Sequence, residues 1–221
     1  MDNYTPTART KIRRLPRRGN YDKLTVHAIL DQGYICHVGF AVDAQPYVIP
    51  TVYARADATL YIHGSAVSRM LRTLAQTVPV CITVTLLDGL VLARSAFHHS
   101  LNYRSVVMIG NARLVDDEDE KMRALHLITN HVVPARWEEA RTPNERELRQ
   151  SSVLALPLEE VSAKIRSGPP VDDDEDYALP IWAGVVPVET RLGNPINDGR
   201  LLPGVPDIDL ARFRRFTPAS D

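Results

Sequence analysis

Between residues 34 and 115 the apolar side chains fall into short runs, rich in β-branched and aromatic types, with turns of a few residues between them. No other feature constrains the fold as much. Residues 34–42, 47–54 and 59–63 form three such runs, separated by turns at 43–46 and 56–58. This spacing predicts an antiparallel meander. Pro50 stands inside the second run. Proline cannot donate to a ladder, so its position must be an edge, a bulge or a break that faces a ligand. Residues 80–87 and 90–96 flank Asp88 and Gly89, a dipeptide that predicts a hairpin turn. Residues 103–115 form a longer run whose centre, VVMIG, is continuously apolar, as in a strand buried on both faces of a barrel wall.

Helical periods interrupt the strands. Asp22 can cap a helix through Leu24, His27, Ala28 and Leu30 that stops near Gly33. In residues 65–76 Val67, Met70, Leu71 and Leu74 recur at helical spacing, while Arg69, Arg72 and Gln76 stay polar. The acidic stretch 116–120 opens a helix carrying Met122, Leu125, Ile128 and Val132, which Pro134 ends. Residues 135–151 read as partly helical and 153–158 and 161–165 as strands. Residues 168–176 read as a solvated loop, and 181–188, with Trp182, as a last apolar segment. Six or seven strands with helices between them predict an α+β protein on an antiparallel barrel. Residues 1–20 form a basic arm, 21–190 the domain, and 191–221 an irregular tail.

Composition narrows the function. Lys and Arg number 26 against 27 Asp and Glu, which argues against a general nucleic-acid binder. No apolar run reaches the ~18–20 residues that span a bilayer, and the N-terminus lacks the apolar core of a secretory signal, so a cytoplasmic location is expected. Arg9, Lys11, Arg13, Arg14, Arg17 and Arg18 crowd the start, as in a solvated or partner-contacting arm. Cys36 and Cys81 both lie in strand-like runs and read as two reduced core thiols. Neighbouring strand residues face opposite ways, so His98 and His99 do not form a shared metal site, and no metal is expected.

Two segments can carry chemistry. In HGSAVSRMLRTL, residues 63–74, a strand end is followed by glycine, serines and a helix start with an arginine in its first turns. That combination suits a phosphate, though a serine-capped helix with surface arginines has the same spacing. In SLNYRSVVMIG, residues 100–110, Arg104 and Ser105 begin an otherwise apolar strand. A charge beside so apolar a run usually has a partner, or lies at an exposed strand end.

Together, YVIPTVYARADATLYIHGSAVSRMLRTL and AFHHSLNYRSVVMIGNARLV resemble the flavin-binding core of the pyridoxamine-phosphate-oxidase-like superfamily, in the branch with the nitroimidazole-resistance reductases. The resemblance runs from about Arg9 to Val188 and implies an FMN-binding antiparallel split β-barrel with flanking helices. It implies that Ile49, Pro50, Thr51 and Val52 line the isoalloxazine ring and that Ile62 and His63 lie near the ribityl chain. Ser68 and Arg69 grip the phosphate. Met70 replaces a residue often basic in relatives, a lost charge that Arg72 or Arg104 would make good. Ser105 takes the place of a polar flavin contact, and Trp182 packs near the cofactor. Either the segment His98–Ser100 or Trp182 would reach the same flavin from a second subunit. The implied assembly is a homodimer with flavin at the interface.

The implied function is FMN-dependent oxidoreduction of a small-molecule substrate. A non-catalytic flavin module for sensing, storage or regulation would use the same binding residues; a third alternative keeps the barrel but changes the ligand to a deazaflavin or haem. His63, His98 and His99 are proton-donor candidates by titration range.

Overall fold

The computed structural model describes residues 2–213. Its strands are β1 (Gly19–Asn20), β2 (Ile35–Val42), β3 (Gln45–Ala56), β4 (Thr59–Ser65), β5 (Pro79–Leu92), β6 (Ser100–Asn111), β7 (Arg113–Leu114), β8 (Ser151–Pro157), β9 (Glu160–Arg166) and β10 (Gly184–Pro187). The helices are α1 (Lys23–Gln32), α2 (Arg69–Leu74), α3 (Glu118–Val132), α4 (Arg136–Glu139) and α5 (Glu145–Gln150). The strands form one antiparallel sheet in the order β1-β9-β6-β5-β2-β3-β4-β8-β7, with β10 beside β5.

This order forces closure. β6 is third from one edge, yet Arg113, two residues past its end, starts the strand at the opposite edge, paired with Ala155 of β8. The sheet therefore curls until its edges meet, which makes an α+β antiparallel split barrel. Its interior holds Cys36, Val38 and Phe40, then Ile82 and Val84, then Val106 and Met108, the alternate residues of β2, β5 and β6. Val26, Ile29 and Leu30 of α1 and Met70, Leu71 and Leu74 of α2 pack into the same core. A smaller cluster of Val115, Ala124, Leu125, Val153 and Ala155 lies under α3, on the outer side of the sheet.

The helix signals are realised as capping chemistry. Asp22 accepts from the Thr25 N–H at 2.9 Å, Asp117 from Glu120 at 2.7 Å, and Asn144 and Glu147 form a reciprocal capping box. α1 stops where a side chain at Gly33 would stand 2.6 Å from Val84 Cγ1 and 2.8 Å from the Tyr53 hydroxyl.

Four expectations are corrected. Asp88 and Gly89 do not turn the chain. β5 runs straight through them with a bulge between Leu87 and Gly89, and neither residue has the positive φ that a two-residue hairpin turn needs. Gly89 is instead enclosed by β10, since an added Cβ would lie 2.9 Å from Val185 Cγ1 and 3.2 Å from the Val186 carbonyl. Cys81 is exposed while Cys36 is buried, because strict alternation along β5 turns Cys81 away from the core. The loop after β9 is anchored by Asp172, which is buried and accepts from the Arg94 and Ser95 amides at 2.9 and 3.2 Å. The described strands number ten, because the sequence gives little sign of the two-residue strands β1 and β7.

The N-terminal segment lies along the barrel. Tyr4 and Thr10 are buried, and Thr7 and Arg9 both bond to Glu160.

Candidate functional site

Register determines which side chains share the outer face of the sheet. Residues paired across antiparallel strands point the same way. Pro50 pairs with His37, His37 with Thr83, Thr83 with Val107 and Val107 with Ser162, a row crossing five strands on the side away from the core. Val52 with Ile35, and Val48 with Gly39 and Cys81, flank that row. The N-terminal segment covers this face at Glu160, and α3 covers it at the far end of β3 and over β8. The surface between the two covers is open and largely apolar, with Val48 67% and Ile35 52% exposed.

Pro50 belongs to this opening. β3 pairs with β2 through Val52 but meets β4 only from Tyr53 onward, so one side of β3 is unpaired at Pro50 and the missing N–H is tolerated there. Val48, Pro50 and Val52 turn to the open face. Ile49 turns inward onto the core, and Thr51 shares its parity.

Ser68 caps α2 through its backbone and makes no side-chain cap bond. Arg69 lies with its guanidinium 4.2 Å from the Tyr47 ring centroid, and among the described residues it has no carboxylate partner. Met70 is buried in the core, which accounts for an apolar residue at a position often basic in relatives. Ile62 is also a core residue, so only its backbone can face a ligand. His63 follows on β4, pairs with Val153 and has a buried Nδ1 without a hydrogen-bond partner. Burial pushes the His63 pKa below the usual imidazole range.

Ser100, Arg104, Ser105 and Trp182 lie at the other end of the barrel. Arg104 donates to both oxygens of Asp88, at 2.9 and 2.6 Å, and to Gln32 Oε1 at 2.6 Å. It pairs with Leu86, six residues along β5 from Val80, whereas Arg69 lies beside the Tyr47–Phe40 pair near Val80. Six residues of strand span about 20 Å. Within one chain, then, Arg104 does not join Ser68 and Arg69. The Ser105 hydroxyl donates to the Lys164 carbonyl at 3.3 Å. Ser100 pairs with Val91 next to the β10 pairing of Gly184 with Leu92, and Trp182 is 64% exposed with its ring over Gly184.

Sequence reasoning missed two further features. A cavity of about 950 Å³ opens at the Arg104 end, between Gln32, Leu86 and Arg104 on the barrel and Val188, Leu192 and Leu210 on the C-terminal tail. His98 Nε2 lies 3.3 Å from Asp173 Oδ2, and with Asp176 these ligand atoms fall within 4.8 Å of one another on the surface. Both features join residues far apart in the sequence, so spacing carried no signal of them.

The sequence profile of the family described as pyridoxamine 5'-phosphate oxidase matches residues 22–165. Among solved structures, the chain is similar to the flavocytochrome Anf3 from Azotobacter vinelandii, with 39% identity and a TM-score of 0.89 over 97% of this chain and 99% of that one. It is also similar to the FAD and heme binding protein from Mycobacterium smegmatis, with 34% identity and a TM-score of 0.84 over 90% of this chain and 97% of that one. A candidate 5-nitroimidazole antibiotic resistance protein from Bacteroides thetaiotaomicron shares the fold, with 24% identity and a TM-score of 0.57 over 66% of this chain and 86% of that one. No curated protein sequence matches the chain. No helix among the described residues is long and apolar enough to cross a membrane.

Proposed function

This chain belongs to the pyridoxamine 5'-phosphate oxidase family, and on that premise we propose that it is a flavin- and haem-binding oxidoreductase that works as a twofold homodimer. The observation that carries the reading is the similarity, over nearly its whole length, to one protein described as a flavocytochrome and another described as binding FAD and heme. Local chemistry supports the flavin. Arg69 is an exposed guanidinium without a carboxylate partner among the described residues, beside a Ser68 hydroxyl that its own helix does not use. A phosphate would receive charge-assisted bonds from both. Val48, Pro50 and Val52 offer a shallow apolar surface to a flat ring, and the buried Nδ1 of His63 is a polar atom that a bound cofactor can satisfy.

A bound flavin supplies hydride and single-electron transfer, while the protein supplies binding, orientation and exclusion of water. In this reading Ser68 and Arg69 hold the phosphate and the open face of β3 supports the ring. A second copy, seated on the apolar surface between the N-terminal segment and α3, closes the site. Ser100, Ser105 and Trp182, remote from Arg69 in one chain, are then supplied by the partner copy. FMN is the form that the sequence resemblance implies, and FAD is the form bound by the Mycobacterium smegmatis protein. Both present the same ring and the same first phosphate to Arg69.

The test is a visible spectrum of the purified protein, mass identification of what it releases, and turnover with NAD(P)H. Flavin bands with a Soret band, and flavin affinity at least tenfold weaker in Arg69→Ala, are the expected results. Equal flavin affinity in the two proteins would refute the phosphate assignment. A flavin-loaded monomer at micromolar concentration would refute the dimer.

A further inference from the structure

We propose that His98, Asp173 and Asp176 form a binding site for a divalent first-row metal ion of the zinc class, which ties the β5–β6 connection to the segment between β9 and β10. The donor atoms come from two separate stretches of chain. His98 ends a short 3-10 helix, Ala96–His98, while Asp173 precedes and Asp176 lies within a second one, Asp174–Ala178. His98 Nε2 is 3.3 Å from Asp173 Oδ2, and a carboxylate oxygen of Asp176 joins them within 4.8 Å. A tetrahedral ion sits about 2.0–2.2 Å from nitrogen and oxygen ligands, which sets those ligands roughly 3.3–3.6 Å apart. The imidazole and the first carboxylate already stand at that separation, and a rotation of the Asp176 side chain closes the rest.

The carboxylates are held between two anchors. On one side Asp172, its side chain fully buried, accepts from the Arg94 and Ser95 amides and pairs with the Arg94 guanidinium. On the other side the Tyr177 ring lies against the same guanidinium, 4.9 Å from its centroid. The connection that receives both anchors also carries His98, whose N–H donates to the Ser95 carbonyl at 3.1 Å. The three donors are therefore arranged before an ion arrives, which lowers the cost of binding one. His99 turns its Nδ1 to the Ser95 carbonyl at 3.0 Å, so the adjacent histidines do not share the ion.

The charge balance calls for a cation. Residues 172–176 read Asp-Asp-Asp-Glu-Asp. Arg94 neutralises Asp172, and the one ion-pair partner of Asp173 is His98. Among the described residues Asp174, Glu175 and Asp176 form no ion pair. Two carboxylates brought this close repel each other, and a divalent ion between them converts that repulsion into attraction. The imidazole selects the class of ion. Magnesium and calcium favour all-oxygen sets, whereas one imidazole with two carboxylates suits zinc and its first-row neighbours. Three protein ligands leave a fourth position to water.

The test uses the full chain with its flavin, treated with a chelator that is then removed, and titrates zinc and calcium by calorimetry. Zinc is expected to bind at one ion per chain and to raise the thermal midpoint, since it binds only the folded loop pair. His98→Asn and Asp176→Asn should each weaken zinc binding at least tenfold and abolish the shift in midpoint. Asp174→Asn removes a neighbouring charge outside the group and should leave zinc binding as in wild type. Calcium should bind more weakly than zinc and be indifferent to His98→Asn. Asp176 lies outside the segment that the resemblance brings to the flavin, so its variant decides the matter should His98→Asn also lose flavin. Absence of saturable zinc binding to the wild-type protein would overturn the site. So would wild-type zinc affinity in Asp176→Asn. Equal weakening by Asp174→Asn and Asp176→Asn, or calcium binding as tight as zinc, would reduce the loop to an acidic run that collects counter-ions and overturn the site as well.

Discussion

Met70 offers a direct test of why this chain departs from its relatives. A basic residue beside Arg69 would add a charge for a phosphate, but Met70 is 6% exposed and packs with Leu71 and Leu74 against the barrel interior. Met70→Lys therefore asks whether position 70 answers to the ligand or to the core. Losing the buried methionine costs about 1.5–3 kcal/mol, of which the lysine stem recovers part by reaching toward water. Holding an unpaired ammonium near the core costs several kcal/mol more. The net expectation is a loss of about 3–5 kcal/mol, a large share of the roughly 5–15 kcal/mol that holds a domain together. For a chain of this length that lowers the thermal midpoint by roughly 6–20 °C. Met70→Leu, which keeps the volume, should cost less than about 1.5 kcal/mol. Urea denaturation followed by circular dichroism measures both, and flavin titration of the folded fraction shows whether the new charge reaches the cofactor. A Met70→Lys protein within about 1 kcal/mol of wild type, binding flavin more tightly, would show that position 70 faces the ligand and that the core assignment is wrong.

Three shorter predictions follow. Gly89→Ala should destabilise by about 1–3 kcal/mol, because the new methyl meets Val185 and the Val186 carbonyl across β10; an unchanged denaturation midpoint would count against the bulge and its pairing. Burial pushes the Cys36 thiol up to about 12, so it should resist thiol reagents. Cys81 should react freely in the monomer and be shielded in the dimer, and equal labelling rates above and below the dissociation range would contradict the proposed interface. Burial lowers the pKa of both His27 and His63, so the unfolded chain takes up these protons first as pH falls. Stability should be full above about 6.5 and decline below it. Glu139 and Glu147, held down to about 2 by Arg212 and Arg141, titrate below that window. His63→Gln should flatten the slope of thermal midpoint between pH 7 and pH 5, and an unaltered slope would remove His63 from the account.

The limits of legibility follow from which interactions are local. Asp22, Asp117 and Asn144 cap the helices that follow them because a cap needs only its next three residues, and these are readable in one dimension. The alternation of β2 and β5 is equally local, yet it misled at Cys81. An apolar run gives the period but not the phase, and the phase is set by which neighbours fill the barrel. Asp88 and Gly89 carry the composition of a turn. What prevents one is β10, almost a hundred residues later, which needs a glycine to approach β5. The site divides along the same line. Ser68, Arg69 and Pro50 could be picked out because a helix start and a proline inside a strand leave marks in the sequence itself. The partnerships of Arg104 with Asp88 and Gln32, and of Arg212 with Glu139, join residues whose proximity only the closed sheet creates. The resemblance to flavin-binding relatives extends as far as the barrel does. Beyond β9 the chain reads as a solvated loop, one apolar segment at 181–188 and an irregular tail until the structure brings it back over the barrel mouth. The segment least informative as sequence therefore forms one wall of the cavity at the Arg104 end.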